Sequence, residues 1–576
     1  MFGNGYDSDN NNNNNNVGLS LDDVCLQHLS QAQQIEPNEV ETFPGGEFGG
    51  KWFNDVIHGR FFLDQVAVAF IDTPQFQRLR KLKQLGTANL VFPTAEHSRF
   101  SPSIGTGFLA WQTVSRLNSF HKTTIADKFD VTAVTLAGLC HDLGHGPFSH
   151  VFDNEFLPRA LPQDALDALQ WSHERMSGLL FDRAFDLVKD ELSPNVSESL
   201  VDGDQRRIAD MIMANRPEPG TQSFSKAWLY DIVANKQTSI DVDKLDYISR
   251  DSYYTGVKHD YDHKLLLQQA RVVEDEDGPE ICFRYSAAHS LHDLFMTRAK
   301  LHQTVYTHPK AKAMEFMIVD ALLAANKALG ITDRVRDPDD YLHLNDSILE
   351  VIENPLFTAP GVDDDPPDAG LLEAQDILRR LRVREIYSFV GEEQIPAAMN
   401  EALGKVTAEE IMGHVDTASA GIKLKEVIVQ NHKIDFALRH KNPLDSVWYY
   451  KTSYRMDAHG RRTAESKRYH IPPRRLSSMY DPPVVDRRVR VFCRSRDQRK
   501  VNALREGLTR WASTVLRGHY SPRADNGGAR PSDRTDMVEH RTPKDLRKRR
   551  LSARSSGGPS DHETATKRSL RGALAD

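Results

Sequence analysis

Val131-Thr-Ala-Val-Thr-Leu-Ala-Gly-Leu-Cys140 runs directly into His141-Asp-Leu-Gly-His-Gly-Pro-Phe-Ser-His150. In the first half, apolar residues recur at three- and four-residue spacing, which predicts a helix with a buried face. In the second half, Gly144, Gly146 and Pro147 stop it. The helix therefore delivers an imidazole and a carboxylate, His141 and Asp142, side by side at its end. One neutral imidazole beside one carboxylate is a mixed N/O donor set, suited to Mg, Mn, Fe or Zn rather than to a thiolate-preferring metal. His145, His150 and His173 follow closely. A lone histidine is usually a satisfied core group, but several around one carboxylate are costly unless they bind metal or carry protons.

Two further segments support this chemistry. In Ile240-Asp-Val-Asp-Lys-Leu-Asp-Tyr-Ile-Ser-Arg-Asp251, helical spacing puts Asp243, Tyr247, Arg250 and Asp251 on one face, with Lys244 alongside to meet phosphate. In Arg298-Ala-Lys-Leu-His302-Gln-Thr-Val-Tyr306, Arg298, His302 and Tyr306 again share a face, and arginine grips polyphosphate bidentately. Each stripe alone also fits a solvated charged face. Together they describe a metal-assisted phosphohydrolase. The metal polarises a phosphoryl oxygen and activates water, cations neutralise phosphate, and a histidine protonates the leaving oxygen.

Composition narrows the class. The chain has 576 residues with a formal charge of −8, from 73 Lys+Arg against 81 Asp+Glu. That length suggests roughly three to four domain-sized units, and a mildly acidic whole argues against a dedicated DNA-coating protein. Cys25, Cys140, Cys282 and Cys493 form no CxxC pair, which excludes a disulfide scaffold and a zinc ribbon. No apolar run approaches the roughly 18 residues that span a bilayer. A soluble protein of the nucleus and/or cytoplasm, with no membrane partner, is expected.

The expected architecture is mainly α. Residues 1–45, with an Asn run at Asn10–Asn16, read as a disordered leader. Residues 46–330 read as a helical catalytic core, and 331–520 as a smaller mixed α/β lobe for regulation and oligomerisation. Residues 521–576 hold 13 Lys+Arg and 8 Asp+Glu and read as a disordered basic tail. Within the core, Val272–Val273 and Ile281–Phe283 have strand character, with a turn at Glu274-Asp-Glu-Asp-Gly278. In the lobe, Lys423–Val429 and Arg487–Cys493 read as strands, and Asp337-Pro-Asp-Asp and Asp363-Asp-Asp-Pro-Pro as acidic loops.

His141-Asp142 with a later Asp243 resembles the HD-domain phosphohydrolase superfamily. Longer stretches narrow the likeness: Asp72-Thr-Pro-Gln-Phe-Gln-Arg-Leu-Arg80, Lys83-Gln-Leu-Gly86, Ala137–His150 and Ile240-Asp-Val-Asp-Lys244. Residues 51 to about 515 resemble the deoxynucleoside triphosphate triphosphohydrolases whose animal form carries SAM and HD domains. The leader is too short and polar for a SAM module, which is expected to be missing. The resemblance implies attack of water at the α-phosphorus of a dNTP, releasing deoxynucleoside and inorganic triphosphate. It implies His141, Asp142 and Asp243 as metal ligands, and His150 as general acid oriented by Asp153. His145 and His173 would line the pocket, and Arg99, Lys244, Tyr247 and Arg298 would hold triphosphate, with His302 near the α-phosphate. Gln84 and Asp251 would bind the 3′-hydroxyl, and Leu85 and Tyr306 would exclude a ribose 2′-hydroxyl. GTP or dGTP is implied as activator, binding Lys51, Asn54, Asp72, Gln77 and Arg80 and driving a homodimer or homotetramer.

The sequence also departs from that family. The pattern His-x-Arg-Phe-Glu-His-Ser carries a further metal histidine, where this chain reads His97-Ser-Arg-Phe-Ser-Pro-Ser103. Pro102 stands at the ligand position and cannot coordinate metal. His97 is expected to point elsewhere. Ser286, Ser290, Pro309 and Ser388 stand where the family has amines or an amide. An impaired, nucleotide-binding regulatory relative is therefore the alternative to an active enzyme. A single-stranded nucleic-acid role is a third reading, and rests on the basic tail. In that tail Thr542 is a proline-directed phosphosite candidate, and Arg549-Arg-Leu-Ser552 resembles a cyclin-docking or basophilic kinase motif.

Overall fold

The computed structural model describes residues 49–121, 124–191, 202–354, 368–435, 442–456, 462–472, 475 and 485–516. The leader, the tail with Thr542, and the Asp363 acidic loop lie outside these residues. The described part forms one compact, mainly α-helical unit. Its hydrophobic core is continuous from Phe61 to Phe492.

Chain order begins with an antiparallel hairpin, β1 (Gly50–Asp55) and β2 (Gly59–Asp64), turned by Gly59 at φ 78°. Asp64 then caps helix Gln65–Ile71 by accepting from Ala67 N. Helices Phe100–Ser119 and Lys128–Cys140 pack closely. A Cβ on Gly138 would lie 2.9 Å from Ala110 Cβ, so only glycine permits the approach. Asp127 and Asp130 form a capping box that starts the second of these helices. Asp241 caps helix Val242–Thr255, and Gly256 ends it in the left-handed region at φ 71°.

A buried ion network locks that helix to the hairpin. Arg250 binds Asp246 and Asp55, and His58 Nε2 lies 2.6 Å from Asp246 Oδ1. The one-face reading of helix Val242–Thr255 therefore needs correction at Arg250, whose side chain turns into the core.

Two further small sheets lie among the described residues. β3 (Ala270–Asp275) and β4 (Gly278–Arg284) form the expected hairpin. β4 then pairs in parallel with β7 (Trp448–Met456), which pairs with β8 (Arg462–His470). The other sheet has the order β5 (Ser388–Ile395), β9 (Val485–Cys493), β6 (Val427–Asp435), all antiparallel. The strand expected from Lys423 starts only at Val427, after a 3₁₀ turn at Leu424–Glu426. Helix Gln498–Val515 covers this sheet with Leu504, Leu508 and Trp511. No described helix is long and apolar enough to cross a membrane, and Cys140, Cys282 and Cys493 are buried and unbridged.

Candidate active site

Helix Lys128–Cys140 ends with His141 still helical at φ −58°. His141 Nδ1 sits 2.8 Å from the Gly138 carbonyl, so Nδ1 carries the proton that it donates. Its Nε2 therefore faces Asp142 Oδ1 at 3.4 Å and Asp243 Oδ1 at 3.2 Å. Burial disfavours a charged ring, but the two carboxylates outweigh it and push His141 up to about 10. Burial in turn raises Asp243, although His141 pulls it down. A nitrogen and two carboxylate oxygens thus converge on a point that demands positive charge. Their N/O chemistry and close spacing fit a divalent metal.

The second oxygen of Asp142 is taken by Arg99, whose Nη1 lies 2.5 Å from Oδ2. Arg99 Nε donates to Ser149 Oγ at 2.7 Å, and Ser149 Oγ donates to the Lys83 carbonyl. Phe148 and Ser149 both adopt positive φ, 60° and 59°, a strained pair that aims this hydroxyl. Burial opposes ionisation of Asp142, yet Arg99, His141 and His145 hold it well below the usual carboxylate range. Arg99, expected on the triphosphate, thus first serves the metal end. Pro102 is buried at the third position of helix Phe100–Ser119. The first helical turn lacks intrahelical N–H bonds, so proline fits there at little cost.

His145, His150, Asp153 and His173 form the adjacent wall, their potential ligand atoms all within 4.8 Å of one another. His145 and His173 stack at 4.1 Å, with His150 edge-on to both. Asp153 Oδ2 lies 3.0 Å from His173 Nδ1 and 3.7 Å from His145 Nδ1. The carboxylate therefore faces His173, whereas the expectation paired it with His150. Burial works against a charged His173, but Asp153 and Glu174 raise it above its ordinary value. His150 has an edge open to solvent but is deeply desolvated, and with Arg99 and His173 nearby it falls to about 4. Burial, Arg99 and His173 likewise hold His145 well below its usual range. Gly144 makes this wall possible, because a Cβ there would lie 2.1 Å from the His173 carbonyl.

The remaining residues expected at the substrate lie on helix Val242–Thr255, helix Ala288–Leu301 and the turn after it, with Gln84 and Leu85 earlier in the chain. Lys244 Nζ is 3.1 Å from Asp241 Oδ2. Burial raises the Tyr247 phenol, while Arg298 and Lys244 stand close enough to pull it down. Asp251 accepts from Tyr306 OH at 2.7 Å and lies 2.9 Å from His97 Nε2. His97 stacks on Tyr254 at 4.3 Å and stays away from the metal point. Gln84 Oε1 is buried without a hydrogen-bond partner, and Leu85 packs against the core. Burial, Arg298 and His432 hold His302 well below its usual value. Two π-helical turns, Phe152–Phe156 and His302–Tyr306, carry Asp153, His302 and Tyr306. Such turns are frequent at functional sites.

A cleft of about 1340 Å³ opens onto His141, Asp142, His173, Asp243 and Lys244, and is walled further out by Trp448 and His470. His141, Asp142 and Asp243 thus face an open cleft, and Gln84, Asp251, Arg298 and Tyr306 lie outside its lining. Trp448 and His470, whose rings are 3.5 Å apart, had no local motif to single them out.

Four of the residues expected to bind an activator lie near one another. Lys51 Nζ pairs with Asp72, Gln77 Nε2 donates to the Ile71 carbonyl, and Arg80 Nε donates to Gln77 Oε1. Asn54 sits opposite Arg60 in the hairpin.

No family model matches the chain. It is similar to the deoxynucleoside triphosphate triphosphohydrolase SAMHD1 of Homo sapiens, 32% identical over 516 residues, covering 84% of this chain and 76% of the relative. The SAMHD1 homolog of Dictyostelium discoideum is 33% identical, covering 82% of each chain. An HD domain-containing protein of Acanthamoeba polyphaga mimivirus is 28% identical, covering 69% of this chain and 85% of its own.

Proposed function

The chain belongs to the SAMHD1 family of deoxynucleoside triphosphate triphosphohydrolases, and from that premise we propose that it hydrolyses dNTPs, dGTP among them, to deoxynucleoside and inorganic triphosphate, controlling dNTP pools. The observation that carries this reading is the convergence of His141 Nε2, Asp142 Oδ1 and Asp243 Oδ1 beside the His145, His150, Asp153 and His173 wall. A divalent metal held by His141, Asp142 and Asp243 would supply Lewis-acid charge against the phosphates and activate water. Lys244 and Arg298 neutralise the triphosphate. Arg99 orients Asp142 through Nη1 and keeps Nη2 for a phosphate oxygen. His150 donates the proton to the leaving 5′-oxygen. It is neutral in the free site, because desolvation, Arg99 and His173 lower it to about 4. An arriving polyanion offsets those cations and lifts it towards a useful range. Asp251 keeps a second lone pair on each oxygen and can accept from a 3′-hydroxyl as Gln84 closes the other side. Leu85 and Tyr306 exclude a 2′-hydroxyl.

Guanine nucleotide at Lys51, Asn54, Asp72, Gln77 and Arg80 is the proposed activator. The lobe 331–520 is the proposed seat of homo-oligomer assembly. Pro102 favours a second reading, a nucleotide-binding regulator with weak metal retention, since Arg99 already compensates half of Asp142. The deciding test is triphosphate release from dGTP by purified protein with Mg, Mn or Fe, with and without GTP. Turnover supports the enzyme. Nucleotide binding without turnover, restored by Pro102→His, supports the regulator. Neither turnover nor binding by folded protein removes both readings.

A further inference from the structure

Tyr306 closes the π-turn His302–Tyr306, and the next residue, Thr307, is held from the other side by the β5–β9–β6 sheet. The Thr307 hydroxyl donates to the His302 carbonyl at 2.6 Å, across the turn. Having used its proton, it can only accept at its 3.3 Å contact with His432 Nε2 on β6. His432 must therefore carry its proton on Nε2. That suits a ring which burial, Arg490 and Arg488 keep neutral, down to about 3. The Thr307 carbonyl accepts from Arg490 Nη1 on β9. Arg490 is 4% exposed, and its Nε donates to Glu392 Oε2 on β5 at 2.9 Å. Arg488 binds the other oxygen of Glu392 at 2.8 Å. Two strands thus hold one residue, with the third holding Arg490 in place, and that residue adjoins the side chain that binds Asp251.

We propose that Arg490, with His432, is a positioning residue that fixes Tyr306 through Thr307 and thereby sets discrimination between deoxyribose and ribose. The inference rests on the triphosphohydrolase reading above. Arg490 touches neither Asp251 nor the metal point, and its guanidinium acts only through the Thr307 carbonyl. A planar fork bridging a carboxylate and a carbonyl is not reproduced by lysine. Loss of either contact frees the turn to relax, and a displacement of about 1 Å at a reacting site is worth as much as roughly 100-fold in rate.

The test uses the full chain and compares kcat/KM for dGTP with that for GTP as a substrate. Arg490→Lys and Thr307→Val should each lower the dGTP-to-GTP ratio by roughly tenfold or more. The ratio is the informative readout, because partial unfolding lowers both rates equally and leaves it unchanged. In a Tyr306→Ala background, Arg490→Lys should leave the ratio where Tyr306→Ala alone puts it, since two residues acting through one contact are not additive. An unchanged ratio in both single variants, or full additivity with Tyr306→Ala, overturns the inference. If Arg490→Lys does not fold, Arg490→Gln takes its place, while Thr307→Val tests the His432 contact alone. A wild-type protein inert towards every dNTP removes the underlying function instead, and that outcome is read before any variant is made.

Discussion

The proposed metal end and the proposed sugar end of the site are built on opposite principles. At the proposed metal end, His141, Asp142 and Asp243 converge, with Arg99 on the far oxygen of Asp142. At the sugar end, Asp251 is satisfied by Tyr306 and His97 inside a packed shell, and Thr307 is clamped by two strands. One end is a charge demand that a cation would meet, whereas the other is a packed surface. The first tolerates substitution at its margin, as Pro102 shows, because a ligand can be absent while the fold is intact. The second cannot lose a partner without moving the residues that shape the pocket.

Removing the charge demand should have the largest effect. Asp243→Ala should abolish metal retention, read by elemental analysis of the purified protein. It should also cut dGTP hydrolysis by roughly a thousandfold or more, the worth of several kcal/mol of transition-state charge stabilisation. Retained metal and rate would move the metal point elsewhere.

The histidine wall gives the next effect. His150→Ala should cost roughly 10² to 10⁴ in kcat, the usual worth of a proton donor. His173→Ala should cost less, because Asp153 holds the ring and raises it above its ordinary value, and the ring serves the field around His150. The opposite order would make the Asp153–His173 pair the proton carrier.

Pro102→His should sharpen the contrast from the metal side. A fourth donor should raise metal affinity by at least about tenfold, the small end of what even an outer-shell partner contributes. Its melting temperature without metal should change little, since the first helical turn accepts either residue. No gain in affinity would mean that a side chain at position 102 does not reach the metal point.

The smallest effect is on stability in acid. Burial keeps His263, beside His58, down to about 4, and keeps His432 down to about 3. Unfolding releases both to about 6.5, so the unfolded chain binds more protons below that value. Their contribution is whole above about pH 6.5 and is lost as pH falls towards 4. His432→Gln should flatten the fall in melting temperature between pH 7 and pH 4.5, whereas an unchanged slope would place the acid-sensitive groups elsewhere.

Much of the metal end was legible in the chain. An apolar helix ending in His141-Asp142, and a capped helix carrying Asp243, are local patterns, and local patterns survive in sequence. The hairpin at Glu274–Gly278 was visible for the same reason. The parallel pairing of β4 with β7 was not, because it joins Phe283 to Tyr449 across a long connection with no local signal. Nor was the turn of Asp153 towards His173, since a π-turn shifts which side chains share a face. Arg250 fell on the expected stripe, but its fork found Asp246 and Asp55 in the core. The clamp on Thr307 draws on strands far away in the chain and leaves no trace near Tyr306.

The turn His302–Tyr306 also fixes how the chain can change in length. A π-turn holds one residue more than the α-helical path across the same span. Deleting any single residue within it would heal the helix across the same span and leave what lies beyond in register, but would rotate the side chains inside the turn by up to about 100°. Tyr306 would swing off Asp251. Drift by substitution at the outward-facing Gln303 and Thr304 is open to the protein, whereas drift by insertion or deletion here is closed. A relative with one residue fewer in this stretch must therefore have rebuilt its sugar pocket from other side chains.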